Sequence, residues 1–175
     1  MGTGLATLPS ERSLARARKG RAGRRVGTAV LLLFLLAGVT SLLGVRTGTV
    51  ADDRGQVLLR VDYPQVTRAG LAVPYRVEVR RPGGFDGAPV RVAVSHTLFD
   101  RFDYQNFYPN PSAETADAEW VEYEFDPPDG EVLVWTFDVR TGPNQTGSFS
   151  SYAVQVRDAE GVVEAEVEHR VLVVP

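Results

Sequence analysis

The feature that most constrains the fold is a strict alternation of apolar and polar side chains. Residues 72–80, "AVPYRVEVR", show it most clearly. On one side of an extended chain lie the apolar side chains Val73, Tyr75, Val77 and Val79, and on the other side lie Pro74, Arg76, Glu78 and Arg80. Successive side chains of a strand point to opposite faces, so this pattern predicts a strand with one buried face.

The same period of two recurs along the rest of the C-terminal region. It predicts strands at residues 56–63, 72–80, 89–96, 119–125, 131–140, 151–158 and 162–174. Clusters rich in Gly, Pro, Asn and Asp separate several of these runs, at 81–87, 126–130, 141–147 and 158–161. Such residues favour tight turns. About seven short strands with little helical periodicity predict an all-β, antiparallel β-sandwich over residues 56–175.

A single apolar segment precedes this region. Residues 26–45, "VGTAVLLLFLLAGVTSLLGV", contain no charged side chain. A helix of that length is about 30 Å long, which matches the hydrocarbon core of a bilayer. We therefore predict a transmembrane helix, and contact with the lipid bilayer, at 26–45; its Thr and Ser hydroxyls can bond the carbonyl one turn earlier. The alternative is a cleaved signal peptide, with "TVA" at 49–51 as the cleavage site before Asp52.

The charges on the two sides of this segment have opposite signs. Residues 1–45 carry seven basic and one acidic side chain, net +6, whereas residues 46–175 carry twelve Arg against twenty-one acidic side chains, net −9. The positive-inside rule then predicts a single-pass protein of the cell membrane, with a cytoplasmic N-terminus and an extracytoplasmic C-terminal domain. We predict a disordered basic tail at 1–25 and a linker at 46–55. The acidic domain also argues against nucleic-acid binding.

Late in the sequence, "SYAVQV" at 151–156 resembles a strand of immunoglobulin-like and fibronectin-type-III-like sandwiches. Tyr152 stands at the position of the corner tyrosine, and Val154 stands where many immunoglobulin domains have a cysteine. Trp120 or Trp135 is then expected in the core between the sheets. With its basic tail and single apolar segment, the chain resembles actinobacterial single-pass membrane proteins that carry such a domain, whose function is uncharacterised.

The sequence contains little that predicts catalysis. It has no cysteine, which excludes disulfides and thiol chemistry. No nucleophile elbow, metalloprotease motif or phosphate-binding loop is present. The two histidines, His96 and His169, both fall on apolar strand faces. A hydrolase that uses His96, Asp100, Asp103 and His169 is the least favoured alternative. We predict a protein that is not an enzyme and has no catalytic residue, cofactor or metal site.

The segment from His96 to Asp117 interrupts the strand pattern with five aromatic residues. Leu98, Phe99 and Phe102 have the spacing of one helical face, and we expect them to cover the end of the core. Aromatic and amide side chains on a stiff loop are typical of recognition surfaces. We therefore predict that Tyr104, Asn106, Phe107 and Tyr108 contact a partner, although the same residues could seal a small core.

These features together favour a non-enzymatic binding or accessory module. We expect it to be anchored in the membrane and to contact another membrane protein or an envelope component. The alternative is a structural or adhesion protein of the envelope that has no defined partner.

Overall fold

A computed structural model describes residues 11–39, 44–142, 147 and 149–174. The chain divides into two compact units, Met1–Gly44 and Val45–Pro175. In the first unit, helix α1 spans Glu11–Val39. The helix therefore includes residues 11–25, for which the sequence analysis predicted disorder, and its abundant Ala, Arg and Leu are good helix formers.

Helix α1 contains most of the predicted transmembrane segment. Thr28 donates a hydrogen bond from Oγ1 to the carbonyl of Arg24 at 2.9 Å, which confirms the predicted back-bonding at this residue. Residues 40–43 of the segment lie outside the described residues. In the described part of the chain, no helix combines the length and the apolar character needed to cross a membrane.

The second unit consists of ten strands and one short helix within the described residues. In chain order they are β1 Arg46–Asp52, β2 Leu58–Arg68, β3 Val73–Arg80, β4 Val90–Ser95, α2 His96–Arg101, β5 Phe102–Tyr108, β6 Ala113–Ala116, β7 Trp120–Phe125, β8 Val132–Thr141, β9 Phe149–Arg157 and β10 Val163–Val174.

The seven predicted strands are all present, as β2, β3, β4, β7, β8, β9 and β10. The predicted count of about seven is nevertheless too low. Strand β1 occupies most of the segment predicted as a linker, and β5 and β6 lie in the segment predicted as one long loop. These three strands have no alternation of fully buried side chains, since β1 and β6 bury none and β5 buries only Phe102. Backbone pairing with a neighbour defines them instead.

Hydrogen bonding connects the strands in the order β5-β8-β3-β2-β10-β9-β4-β7-β6, with β1 paired to β2. The pairings are antiparallel except for β2 with β10, where Val66 to Arg68 lie parallel to Leu172 to Val174. The prediction of a purely antiparallel sandwich was wrong at this point. Strand β2 pairs with β3 through its first half and with β10 through its last residues, so it passes from one layer to the other.

Ring contacts show that the two ends of this path face each other. Tyr123 on β7 and Trp135 on β8 lie near opposite ends, yet their ring centroids are 4.9 Å apart. The strands therefore form a two-layer sandwich. Trp135 is fully buried, so it is the tryptophan in the core; Trp120 is half-buried, with the Arg157 guanidinium 5.0 Å from its ring. Val154, at the position of the absent cysteine, is also fully buried.

Candidate functional site

Strand β5 forms one edge of the sandwich and carries the predicted contact residues. Among the described strands it pairs with β8 alone, with Tyr104 opposite Val139 and Gln105 opposite Asp138. The register then shifts, and Tyr108 lies opposite Thr136. The side of β5 that faces away from β8 therefore has no partner strand in the described part of the chain, and such a free edge is a common place for contacts with another chain.

Asn106 lies at this register shift and fixes the local geometry. Its φ angle is 62°, in the left-handed region that asparagine tolerates better than most residues. Its Nδ2 donates a hydrogen bond to Asp138 Oδ2 on β8 at 2.9 Å. Thr136 Oγ1 also donates to the carbonyl of Tyr108 at 3.3 Å. A bulge of this kind bends a strand and redirects the side chains that follow it.

Phe107 belongs to the core as much as to the surface. Its ring lies 5.4 Å from Tyr123, 5.4 Å from Trp135 and 5.5 Å from Phe137, measured between centroids. It also stacks on Tyr104 at 5.3 Å with an interplanar angle of 20°. The half-buried Phe107 therefore connects the core aromatics to the exposed tyrosine.

The two tyrosines of β5 are exposed. Tyr104 is 41 % exposed and Tyr108 is 77 % exposed. Tyr104 is held between Phe107 and Phe99, whose ring centroid is 4.7 Å away. We call Tyr104, Asn106, Phe107 and Tyr108 the β5 surface. The structure brings all four together on one strand.

The residues expected to cover the core do so. Leu98 on α2 and Phe102 at the start of β5 are each 1 % exposed. Phe99 is half-buried and packs against the core. The predicted division of the segment holds for these three residues, whereas Phe107 shares their role.

The four residues of the alternative hydrolase do not form one site. Asp103 is exposed on β5, and its carboxylate lies 3.8 Å from the Arg140 guanidinium. Asp100 lines a cleft between α2 and β9, whereas His169 lines a different one beside β2 and β10. His96 is the first residue of α2, so it does not continue the apolar face of β4 as predicted. Among the described residues, no three potential ligands converge as a metal site.

His169 is an internal residue of the sandwich. It is 3 % exposed, and its Nε2 lies 2.9 Å from the hydroxyl of the buried Tyr75. The ring of Tyr63 is 4.4 Å away. Burial lowers the pKa of His169 from 6.5 to about 4 and raises that of Tyr75 well above its usual value. The imidazole is therefore neutral, and its hydrogen bond with the Tyr75 hydroxyl is a structural contact.

The sequence analysis named Asp100 and Tyr152 for other reasons but did not predict the cleft between α2 and β9. This cleft, called here the α2–β9 cleft, has a volume of about 690 Å³ and is lined by Thr97, Asp100, Arg101, Ser150, Ser151 and Tyr152. The two groups of residues are almost fifty positions apart in the chain. Only the tertiary structure places them together, and no local motif indicates it.

No protein-family model matches the sequence, and the search of curated proteins gives no match. Solved structures with a similar arrangement include the CARDB domain of a Pyrococcus furiosus protein in complex with di-metal ions, at 18 % identity and a TM-score of 0.41; the match covers 73 % of this chain and 94 % of that domain. CaCohA2 from Clostridium acetobutylicum is 15 % identical, with a TM-score of 0.44 over 69 % of this chain and 92 % of the other. A non-cellulosomal cohesin from Archaeoglobus fulgidus is 9 % identical, with a TM-score of 0.36, covering 73 % and 91 %.

Proposed function

We propose that the protein is a non-enzymatic binding module that uses the β5 surface to contact another protein of the membrane or envelope. The observation that supports this most directly is the exposed pair Tyr104 and Tyr108 on a free strand edge. Tyrosine combines a large apolar ring with a hydroxyl and loses little conformational entropy on binding, which makes it common in interfaces.

The contacts beneath the β5 surface hold it in a defined conformation, which favours a role in recognition. The Asn106–Asp138 hydrogen bond and the pairing with β8 hold the bulge in place. Phe107 is packed on core rings from below and on Tyr104 from above. A surface that is ordered before binding loses less entropy on association, so its contacts contribute more to affinity.

We further propose that residues 26–45 anchor this module in the cell membrane, with the sandwich on the extracytoplasmic side. The proposal is supported by twenty consecutive uncharged residues and by the excess of Arg and Lys before them. It gives the β5 surface access to partners that lie in or beside the same membrane. A contact confined to two dimensions needs less intrinsic affinity, because anchoring raises the effective concentration.

Site-specific photocrosslinking in native membranes tests the binding function. A photoreactive phenylalanine analogue is introduced in place of Tyr108, and in a second strain in place of Val162, an exposed apolar residue in the β9–β10 connection that is 60 % exposed. We expect one dominant crosslinked protein from position 108 and none from position 162, with mass spectrometry identifying it. Equal, heterogeneous crosslinking from both positions would contradict the proposal and favour an envelope protein without a defined partner.

A further inference from the structure

The α2–β9 cleft lies beside a second, shorter strand edge that is free of pairing with any other described strand. Strand β4 pairs with β9 only from Val154 to Arg157, opposite Val94 to Arg91. The chain then turns away from β9 into α2, because β4 ends at Ser95. The first residues of β9, starting at Phe149, therefore have β10 on one side and no strand of β4 on the other.

Ser95 marks the point at which the strand ladder ends. Its Oγ accepts a hydrogen bond from the backbone N–H of Ala153 at 2.7 Å and donates one to the carbonyl of Ala153 at 3.1 Å. The backbone groups of Ala153 thus point away from β10. Alternate residues of a strand direct their backbone groups to the same edge, so those of Ser151 face the cleft and those of Phe149 continue the same edge beyond it. Both residues are exposed, and Phe149 is 64 % exposed.

The opposite wall of the cleft supplies a cationic group. Arg101, the last residue of α2, is half-buried, and its Nε is a buried atom without a hydrogen-bond partner in the described part of the chain. None of the ion pairs between described residues involves it. A buried, unpaired donor is costly, and a carboxylate is the group that a guanidinium binds best, often through two hydrogen bonds.

We propose that the α2–β9 cleft binds an extended peptide segment of a partner protein as an additional strand beside Phe149 and Ser151, with a carboxylate of that peptide on Arg101. Backbone hydrogen bonds to the free edge provide affinity for any extended chain. The hydroxyls of Thr97 and Ser150 line the same cleft and suit a polar ligand. The lining residues of this cleft differ from those of the β5 surface, so this proposal does not depend on the proposed function.

The charged side chains of the cleft limit how many negative charges the bound peptide can carry. Asp100 lines the cleft beside Arg101 and is exposed. Its carboxylate repels a second negative charge, so the favoured peptide carries a single carboxylate that reaches Arg101. That carboxylate comes either from the C-terminus of the partner or from an internal Asp or Glu side chain.

An NMR titration of the ¹⁵N-labelled full chain in detergent micelles tests the proposal. The probe is the N-acetylated tetrapeptide Thr-Val-Thr-Val with a free C-terminus. We expect saturable shifts of the Ser151 and Phe149 amide signals and of the Arg101 Nε–H signal. The amidated peptide should bind about fivefold more weakly, because it lacks the charge-assisted contact. An amidated peptide in which Glu replaces the last Val distinguishes an internal carboxylate from a C-terminal one.

Three variants identify which groups of the cleft contribute to peptide binding. Arg101→Gln should remove the difference between the free-acid and the amidated peptide, whereas Asp100→Asn should tighten binding of the free acid. Ser151→Pro removes the N–H that faces the cleft without breaking a bond to β10, so it should weaken both peptides alike. Unchanged amide signals elsewhere in each spectrum confirm the fold. Absence of saturable shifts, or an equal preference for the free acid in Arg101→Gln, would overturn the proposal.

Discussion

At the scale of single residues, Gly48 is a described glycine at which an added Cβ atom would come too close to a neighbouring side chain. A Cβ atom there would lie 2.8 Å from Cζ of the Tyr63 ring, which is closer than van der Waals contact allows. Tyr63 is itself 7 % exposed, and its ring packs at a tilt of 48° against His169, so it has little room to move. The close approach of the Tyr63 ring on β2 to β1 thus favours glycine at this position.

We therefore expect Gly48→Ala to lower the free energy of unfolding by about 1–3 kcal/mol, the usual cost of overpacking. Gly130→Ala is the matched control, since a Cβ at Gly130 meets no atom within 4 Å. Urea denaturation measures both. Equal stability of the two variants would show that Tyr63 moves aside without cost.

His169 makes the stability of the domain depend on pH. Burial lowers its folded-state pKa from 6.5 to about 4, so the unfolded chain binds more protons between these values. The free energy of unfolding should therefore fall by roughly 3 kcal/mol as the pH is lowered from above 6.5 to about 4. Urea denaturation at a series of pH values measures this slope.

The variant His169→Gln separates the contribution of His169 to this pH dependence from the contribution of the carboxylates. The pKa of Asp52 is lowered to about 2, chiefly by its hydrogen bond with Arg54, so the stabilisation from Asp52 is present above 3.8 and is lost only as the pH falls from 3.8 towards 2. In His169→Gln, the slope between pH 4 and 6.5 should largely disappear. An unchanged slope in this variant would assign the pH dependence to other groups.

At the scale of elements, β5 combines packing and exposure on adjacent residues. Phe107→Ser should lower the free energy of unfolding by about 2 kcal/mol, somewhat less than the cost for a fully buried Phe, because the ring is only half-buried. Tyr108→Ser, at 77 % exposure, should change it by less than about 0.5 kcal/mol. Thermal and urea unfolding of the two variants measure the contrast; equal losses would mean that Tyr108 also supports the core.

The strands that sequence analysis found and those it missed differ in burial. Strand β3 alternates buried and non-buried side chains from Val73 to Arg80, and this alternation is visible in the sequence. Strand β6 has four exposed residues and β1 none that is fully buried, so no hydrophobic pattern indicates them. In β5, the bulge at Asn106 breaks the period of two. The covering of the core by Leu98 and Phe102 was predicted from a helical spacing, although only Leu98 lies on α2 and Phe102 is the first residue of β5.

At the scale of the whole molecule, the proposed anchor predicts a membrane-bound protein with an intact N-terminus. Leu35 lies near the centre of residues 26–45. Leu35→Arg should move a large fraction of the protein out of the membrane pellet after alkaline carbonate extraction, since Arg at a helix centre costs about 2.5–3.5 kcal/mol. Leu71→Arg, at an exposed position of the sandwich, should remain in the pellet.

N-terminal sequencing of the protein from the membrane fraction separates the anchor from its alternative. We expect the basic tail to be present in the mature protein. A sequence that begins at Asp52 would identify residues 1–51 as a cleaved signal and would contradict the anchor.

The surfaces that distant segments of the chain form together could not be predicted from the sequence. Tyr104 to Tyr108 could be recognised because five aromatics cluster between residues 99 and 108. The α2–β9 cleft depends on where β4 ends and on which edge of β9 it leaves free, and both follow from strand pairing. The parallel contact of β2 with β10 likewise arises from the passage of one strand between two layers.

The most direct test of the central claim is the amount of partner that co-purifies with Tyr108→Ser. The unsubstituted protein and two variants are purified from native membranes after mild crosslinking. The variants are Tyr108→Ser and the control Val162→Ser, which places the same polar residue at another exposed position. Mass spectrometry then quantifies the partner that crosslinks at position 108. We expect at least about a tenfold loss for Tyr108→Ser, as for an interface residue worth more than 1.4 kcal/mol, with an unchanged melting temperature and no loss for Val162→Ser. Full recovery of the partner with Tyr108→Ser would contradict the assignment of the β5 surface as the binding site.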